Sequence, residues 1–488
     1  MSDALAHLEP RSIWGHFASI AAIPRPSKHE QKIAAWIRSL AAEHGFQVRS
    51  DDFGNLIVDV PATAGLESAP IVIIQSHLDM VCEKDKATEH DFFTDPIVPR
   101  IDGEWVYATG TTLGADNGLG VAAGLAAATD RSVKHGPLQL LFTLDEETGL
   151  NGAAQVDPSM LHGRILLNLD SEDDGVLCVG CAGGADSHLL LDPRRCAAND
   201  GSRAYTLEIT GLRGGHSGTD IHENRGNALK LLARALSAGI DAGIDLELAD
   251  LRGGSMRNAI PREAEAALRL PADGVGSFEG VLAGMLEKFR IELHGIDDGL
   301  DVQFEQAEPA GDVLVREDRD RLLRLLMAVP HGPLAMSPDI PGLVETSSCL
   351  AVVEAHEGNI RIVASSRSSV DSQMEAVLAS IRAVGKLAGV HVRSFDGYPG
   401  WKPDLDSRLL EAVRKVYAKV WSKPPLVQAV HAGLECGLLG RKLPELEMIS
   451  FGPQIEGPHS PNERVSIPSV ARFWEAFRLV LEELATAS

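Results

Sequence analysis

The sequence has no run of about 18 apolar residues, so nothing in it reads as a membrane span. Its opening stretch, MSDALAHLEPRSIWGHF, lacks the basic start and apolar run of a secretory signal, and a cytoplasmic protein is expected. Basic residues are scarce: 45 Lys and Arg against 69 Asp and Glu leave a formal net charge of −24. That excess would repel a phosphate backbone, so nucleic acid is not an expected partner. Of the six cysteines only Cys178 and Cys181 form a C-x-x-C, and without a second pair there is no zinc ribbon. The thiols read as buried and reduced. No G-x-S-x-G marks a nucleophile elbow. Glycines 110, 114, 118, 120 and 124 never fall into G-x-G-x-x-G, and Asp116 among them would face a pyrophosphate, which excludes a dinucleotide fingerprint. Repeats and low-complexity tracts are absent as well.

What is there is an ordinary globular composition, 44% hydrophobic and 23% charged, in 488 residues, a length that suggests two to four domains. Residues 12 to 45 show helical spacing, with Ile13, Phe17, Ile20, Ile33, Ile37 and Leu40 on apolar faces. Residues 55–60, 71–75, 139–144 and 165–169 read as strands. The last three are nearly continuous apolar runs, the pattern of strands buried on both faces. An Ala-rich helix is expected over 118–129. Strands alternating with helices predict an α/β sheet with helices on both faces. The texture changes near residue 186. Strands over 205–210, 264–270, 359–364 and 390–395, with helices over 227–238 and 372–387, read as an inserted α+β domain. A helix over 407–421, a strand over 447–451 and an amphipathic helix over 469–484 restore the first texture. The expected organisation is a first domain of residues 1–186 and 399–488, interrupted by a second of residues 187–398.

Chemistry-bearing residues gather where the apolar runs end, the place at which open α/β sheets bind ligands. Ser76-His77-Leu78-Asp79-Met80 follows one run. Asp145-Glu146-Glu147-Thr148-Gly149 follows another, and Asn168-Leu169-Asp170-Ser171-Glu172 a third. Gly114-Ala115-Asp116-Asn117-Gly118 precedes the Ala-rich helix, and Gly457-Pro458-His459-Ser460 lies far downstream. Two histidines and several carboxylates suit two divalent ions with nitrogen and oxygen ligands. Asp116 is the natural bridging carboxylate. One histidine and one further carboxylate can complete each ion, leaving positions open. Of the neighbours Glu146 and Glu147, one can bind metal while the other serves as general base. His77 and Asp79 share a side of an extended chain, so Asp79 can orient the imidazole.

The long motifs carry a resemblance. SHLDM, GADNGLG, LFTLDEETGLNGA, NLDSEDDG, GLRGGHSGTDIHENRGNA, GGSMRNAIPREA, GYPGWKPD, VHAGLECGLL and GPHSPNERV are similar to those of the aminoacyl-histidine dipeptidase (peptidase D) family, within the co-catalytic zinc aminoacylases and carboxypeptidases. The resemblance implies a mixed-sheet zinc-peptidase catalytic domain interrupted by a lid and dimerisation domain. It implies two zinc ions, with cobalt or manganese as alternatives. Asp116 would bridge them, His77 and Asp170 would complete one, and Glu147 and His459 the other. Glu146 would be the general base and Asp79 would hold His77. The Asp116–Asn117 peptide would be cis. The implied substrate is an unblocked dipeptide, including Xaa-His dipeptides such as β-alanyl-histidine, and the implied assembly a homodimer through the lid.

In the inserted domain the resemblance implies that His216 donates to the developing oxyanion, in its own or the partner subunit's site. Asn258 would bind substrate backbone and Arg367 the free carboxylate. Read from the residues alone, two alternatives stay open beside these roles: the glycines around His216 as no more than a turn, and Arg367 as a surface cation. Glu435 is open between recognition of the substrate amine, support of the metal shell and a structural carboxylate. An aminoacylase, carboxypeptidase or tripeptidase would share the same metal motifs, and a non-catalytic binding protein is the remaining alternative.

Overall fold

The computed structural model describes residues 3–308 and 311–486, and the chain divides into two compact units. The first comprises Met1–Cys181, Trp401–Ala429 and Leu434–Ser488; the second comprises Ala182–Gly400 and Val430–Gly433.

The first unit is built on an eight-stranded mixed sheet. Its order is Gln47–Ser50, Leu56–Val60, Leu138–Thr143, Val72–His77, Ile165–Asn168, Glu447–Ser450, Val176–Cys181 and Leu426–Val430. The four strands from Leu138–Thr143 to Glu447–Ser450 run parallel. Val72–His77 and Leu138–Thr143 are buried at every position, as their unbroken apolar character requires. Alternate side chains use the two faces. Ile73, Leu141 and Leu166 pack with Cys436 and Leu439 of the helix Glu435–Lys442. Ile74 and Leu140 instead meet Gly124 of the Ala-rich helix Ala115–Thr129. Helices therefore cover both faces.

That Ala-rich helix approaches the strand ends closely because its inner face is small. A Cβ on Gly120 would lie 2.6 Å from the Leu169 carbonyl oxygen and 2.9 Å from Ser76 Oγ. Asp116 and Asn117 have non-helical dihedrals, so the regular helix begins after them, where the sequence reading begins it. The helical spacing over 12–45 resolves into two helices, Arg11–Ala21 and Gln31–His44. Pro24 and Pro26 break it: proline removes a backbone donor, and each restricts the residue before it.

The second unit is a nine-stranded antiparallel sheet. Its path runs Asp301–Gln306, Arg203–Thr210, Ala264–Leu270, Glu247–Gly253, Val344–His356, Asn359–Ser368, Gly183–Leu191 and His391–Tyr398, with Gly332–Met336 added on Val344–His356. Strands such as Ala264–Leu270 bury alternate residues, and Ala228–Asp241, Val275–Glu292, Arg316–Ala328 and Asp371–Ala388 contribute to the core on that face. Among the described residues no helix is long and apolar enough to cross a membrane.

Candidate metal centre

The parallel strands stop together, and their last residues turn polar together. Strand register sets His77 beside Thr143 and Gln75 beside Asn168. Just past those ends, two triads form around one carboxylate. His77, Asp116 and Asp170 offer donor atoms within 4.8 Å of one another, as do Asp116, Glu147 and His459. His77 Nε2 lies 3.0 Å from Asp116 Oδ1 and 3.2 Å from Asp170 Oδ1. His459 Nε2 lies 3.2 Å from Asp116 Oδ2 and 3.2 Å from Glu147 Oε2. The two oxygens of Asp116 thus face different histidines. Tetrahedral bonds of about 2.0–2.1 Å put neighbouring ligand atoms about 3.3 Å apart, so both triads fit a zinc-sized ion. Glu147 Oε1 is buried with no hydrogen-bond partner among the described residues, which leaves an oxygen available for a cation. Glu146 joins His77 and Glu147 in a third grouping of the same size.

The electrostatics are those of crowded acids. Burial, reinforced by the charges of Asp170, Glu147 and Glu435, pushes the Glu146 carboxyl well above its usual range. Burial also raises Glu147 and Asp170. The imidazoles answer. Hydrogen bonds to Asp116 and Glu147 push His459 up to about 11. Burial opposes charge on His77, but Asp170 and hydrogen bonds to its carboxylate neighbours overcome it and raise that group as well. Burial likewise opposes ionisation of Asp116, and hydrogen bonds from His459 and His77 outweigh it and hold that carboxyl low. Buried like charges persist only with compensation, and divalent cations supply it.

Asp79 does more than the sequence reading asked of it. Its Oδ1 lies 3.4 Å from His77 Nδ1, within ion-pair range but without hydrogen-bond alignment. Its closer partners are the backbone amides of Glu146 (3.0 Å) and Glu147 (3.1 Å) and the Ser27 hydroxyl (2.8 Å). Asp79 therefore fixes the turn that carries both glutamates. Burial works against its charge, yet the His77 contacts and the Glu146 amide bring it down to about 2. Glu30 assists by accepting from the Asp145 amide at 2.9 Å. Sequence reasoning missed Glu30, Arg25 and Glu463; Glu463 sits inside the quoted motif GPHSPNERV, which was the only signal for it.

Glu435 opens the helix Glu435–Lys442 and is fully buried. Its Oε2 accepts from Gln75 Nε2 at 2.5 Å and Thr143 Oγ1 at 2.8 Å, while Oε1 has no partner. Gln75 continues to Asn168, and Asn168 to Ser450, so a buried polar row crosses the sheet below the ligand-bearing ends. The Asp116–Asn117 peptide is cis, as the resemblance implied.

The second unit gathers a different set. His216 and Ala259 pair across a short bridge, and Ser217 N donates to Asn258 O at 2.7 Å; the Asn258 side chain is exposed. Backbone amides of Thr219 (3.0 Å) and Gly218 (3.3 Å) donate to His216 Nδ1. Those two donors favour a lone pair on Nδ1 and, in the neutral ring, a proton on Nε2, where it faces the donor-only guanidinium of Arg367. Arg367 Nη2 lies 3.3 Å from Nε2, and Arg367 Nη1 donates to Tyr398 Oη at 2.8 Å. Arg367 is buried, which rules out the surface-cation alternative, and its Nε has no partner among the described residues. His431 Nε2 and Ser347 Oγ are 2.7 Å apart in the same unit. Burial and the Arg367 charge lower His216 to about 4 and His431 to about 3.

A carboxylate-rich centre beyond parallel strand ends, with paired histidine–carboxylate sets, defines the class as a metal-dependent hydrolase, and the comparisons agree. Residues 73–483 match peptidase family M20/M25/M40, and the chain belongs to that family of peptidases. It is 44% identical over 482 residues to the cytosol non-specific dipeptidase of Escherichia coli, covering 98% of this chain and 99% of that protein. Its fold matches the aminoacylhistidine dipeptidase of Vibrio alginolyticus with a TM-score of 0.90 at 42% identity, over 98% and 97% of the two chains. The aminopeptidase PepT of Bacillus cereus shares the fold alone, with a TM-score of 0.58 at 17% identity over 98% and 100%.

Proposed function

We propose that this chain is a cytoplasmic dipeptidase that hydrolyses unblocked dipeptides, Xaa-His dipeptides among them, with two zinc ions held by His77, Asp116, Asp170, Glu147 and His459. The observation that carries this reading is the sharing of Asp116 between two histidine–carboxylate sets with ligand-like spacing. The nitrogen and oxygen donors suit zinc, with cobalt or manganese as substitutes. Bound there, divalent ions supply the positive charge that polarises a peptide carbonyl and acidifies water.

The chain's own residues do the rest. Glu146 takes the proton of the attacking water and returns it to the departing nitrogen; burial, which raises its proton affinity, suits that exchange. Asp79 keeps Glu146 and Glu147 in place through their amides. His216 donates from Nε2 to the developing oxyanion, and its low proton affinity keeps the ring a neutral donor at pH 7. Arg367 binds the free carboxylate of the substrate through its guanidinium, whose buried Nε has no partner among the described residues. Asn258, exposed on the loop beside His216, holds substrate backbone groups. Full burial of Glu435 favours support of the ligand-bearing strands over contact with the substrate amine. The second unit serves as lid and as the surface of a homodimer, a reading that rests on the family resemblance.

The test is hydrolysis of β-alanyl-histidine, Leu-Gly, an N-acetyl amino acid and a tripeptide by chelator-stripped and zinc-reloaded protein. Zinc-dependent cleavage confined to the unblocked dipeptides is expected. Cleavage of only the acetyl substrate or the tripeptide would replace the substrate assignment, and no cleavage at all would revive the binding-protein reading.

A further inference from the structure

The loop that carries Asp116 is gripped from both sides by buried charged side chains. Glu463, 2% exposed, turns its carboxylate onto four consecutive backbone amides. Oε2 accepts from Leu113 N at 2.6 Å and Gly114 N at 2.9 Å; Oε1 accepts from Ala115 N at 2.7 Å and Asp116 N at 3.3 Å. On the other side lies Arg25, also 2% exposed. It donates to Gly114 O at 2.5 Å, Leu78 O at 2.9 Å and Asp79 O at 2.6 Å. Gly114 has φ of +67°, and a Cβ there would lie 2.5 Å from Arg25 Nη2, so the loop closes on the guanidinium only with glycine. One side chain thus links the Asp116 loop to the loop that follows His77, and the other fixes the amide of Asp116 itself.

We propose that Glu463 and Arg25 are positioning residues that hold the Asp116 loop in its ligand geometry before any ion arrives. The inference rests on the reading of Asp116 as a shared ligand. Four amides converging on one carboxylate leave the backbone on either side of Asp116 little freedom. The ordering cost is then met by folding and not by metal binding, which raises metal affinity. Glutamine at 463 offers one acceptor oxygen and turns an NH2 toward amide donors, so it cannot satisfy all four. Aspartate keeps the charge on a shorter arm.

Two measurements test this. Hydrogen-exchange mass spectrometry on chelator-stripped wild-type protein reads peptides covering Leu113–Asp116; protection without metal is expected. Rapid exchange there that slows only on adding zinc would overturn the proposal, and this needs no variant to fold. Zinc titration by calorimetry then compares E463Q, E463D and R25K with D116N, and with D297N as a control. Asp297 is a buried carboxylate of the second unit that accepts from the Arg213 and Gly226 amides. Weakening of about 10 to 100-fold is expected for E463Q, as is usual when the groups behind a ligand are lost. Smaller losses are expected for E463D and R25K, and none for D297N. Unchanged zinc affinity in folded E463Q or R25K, with D116N weakened, would refute the positioning role alone. Undiminished affinity in D116N would instead refute the ligand reading beneath it.

Discussion

The two units meet the same problem, buried charge, with opposite signs. In the first, Asp116, Glu146, Glu147 and Asp170 crowd two imidazoles, and burial raises three of the four carboxyls. In the second, Arg367 lies among His216, Tyr398 and His431, and burial together with its charge drives both histidines toward neutrality. One cluster is short of positive charge and the other short of an acceptor. The architectures match the tasks. Parallel strands end together and can collect ligands from neighbouring segments at one edge. The antiparallel sheet of the second unit places Arg367 inside a strand, opposite Ser347 and Gly184, where sheet register holds it rigidly. Clusters of buried acids and of buried bases are thus separated by unit, each with its own buried support.

That contrast can be broken at several points. The largest effect is expected from Glu146→Gln, which removes the proton carrier but none of the shared ligands. Turnover should fall about 100 to 10,000-fold, the usual weight of a general acid–base, with zinc content by mass spectrometry unchanged. Next is His216→Ala in the second unit. A lost oxyanion donor costs about 100 to 1,000-fold in kcat, and steady-state kinetics should show that loss with little change in KM. Arg367→Ala should act differently. A charge-assisted contact is worth about 1.5–3 kcal/mol, so kcat/KM for dipeptides should fall about 10 to 150-fold, while the corresponding dipeptide amides lose far less. Equal losses on both substrates would remove Arg367 from carboxylate recognition.

The smallest effect concerns pH and isolates the second unit. His216 and His331 are lowered to about 4, and His431 to about 3, burial being the first cause in each. Below the ordinary value of 6.5 the unfolded chain takes up protons that the folded chain refuses until about pH 4 to 3. The stability these neutral rings contribute is therefore fully present above pH 6.5 and is lost as pH falls toward 4. Urea midpoints should decline across that interval, and His331→Gln should flatten the slope. His331 is chosen because it lies apart from the Arg367 cluster, against Asn227.

How much of this was legible in the sequence differs between the units in the same way. Runs such as Val72–His77 and Leu138–Thr143 announce buried strands by continuous apolarity, so the acids and histidines just beyond them stand out. The strand ends, the start of the Ala-rich helix and the polar motifs just beyond the strands were readable on those grounds, while the grouping of His77 with Asp170 and of Glu147 with His459 came from the family resemblance. The second unit was less so. Gly183–Leu191 and Val344–His356 carry Ser, Asp, His and Cys among their apolar residues, and their strand character comes from pairing partners distant in sequence. The supports of the metal centre were hidden for another reason. Arg25, Glu30 and Glu463 bind mostly backbone groups, and a side chain that grips peptide amides or carbonyls leaves no periodic or compositional trace. Arg25 also sits in the proline-containing break between the two first helices, where no apolar periodicity points to it.

The central claim is that one carboxylate is shared between two ions. It is tested most directly by counting zinc bound to chelator-stripped protein by calorimetry, in wild type, Asp116→Asn and Asp170→Asn. The account predicts two ions per wild-type chain, both weakened by Asp116→Asn and only one strongly weakened by Asp170→Asn. Two ions bound with undiminished affinity by Asp116→Asn, or a single ion in the wild type, would contradict it.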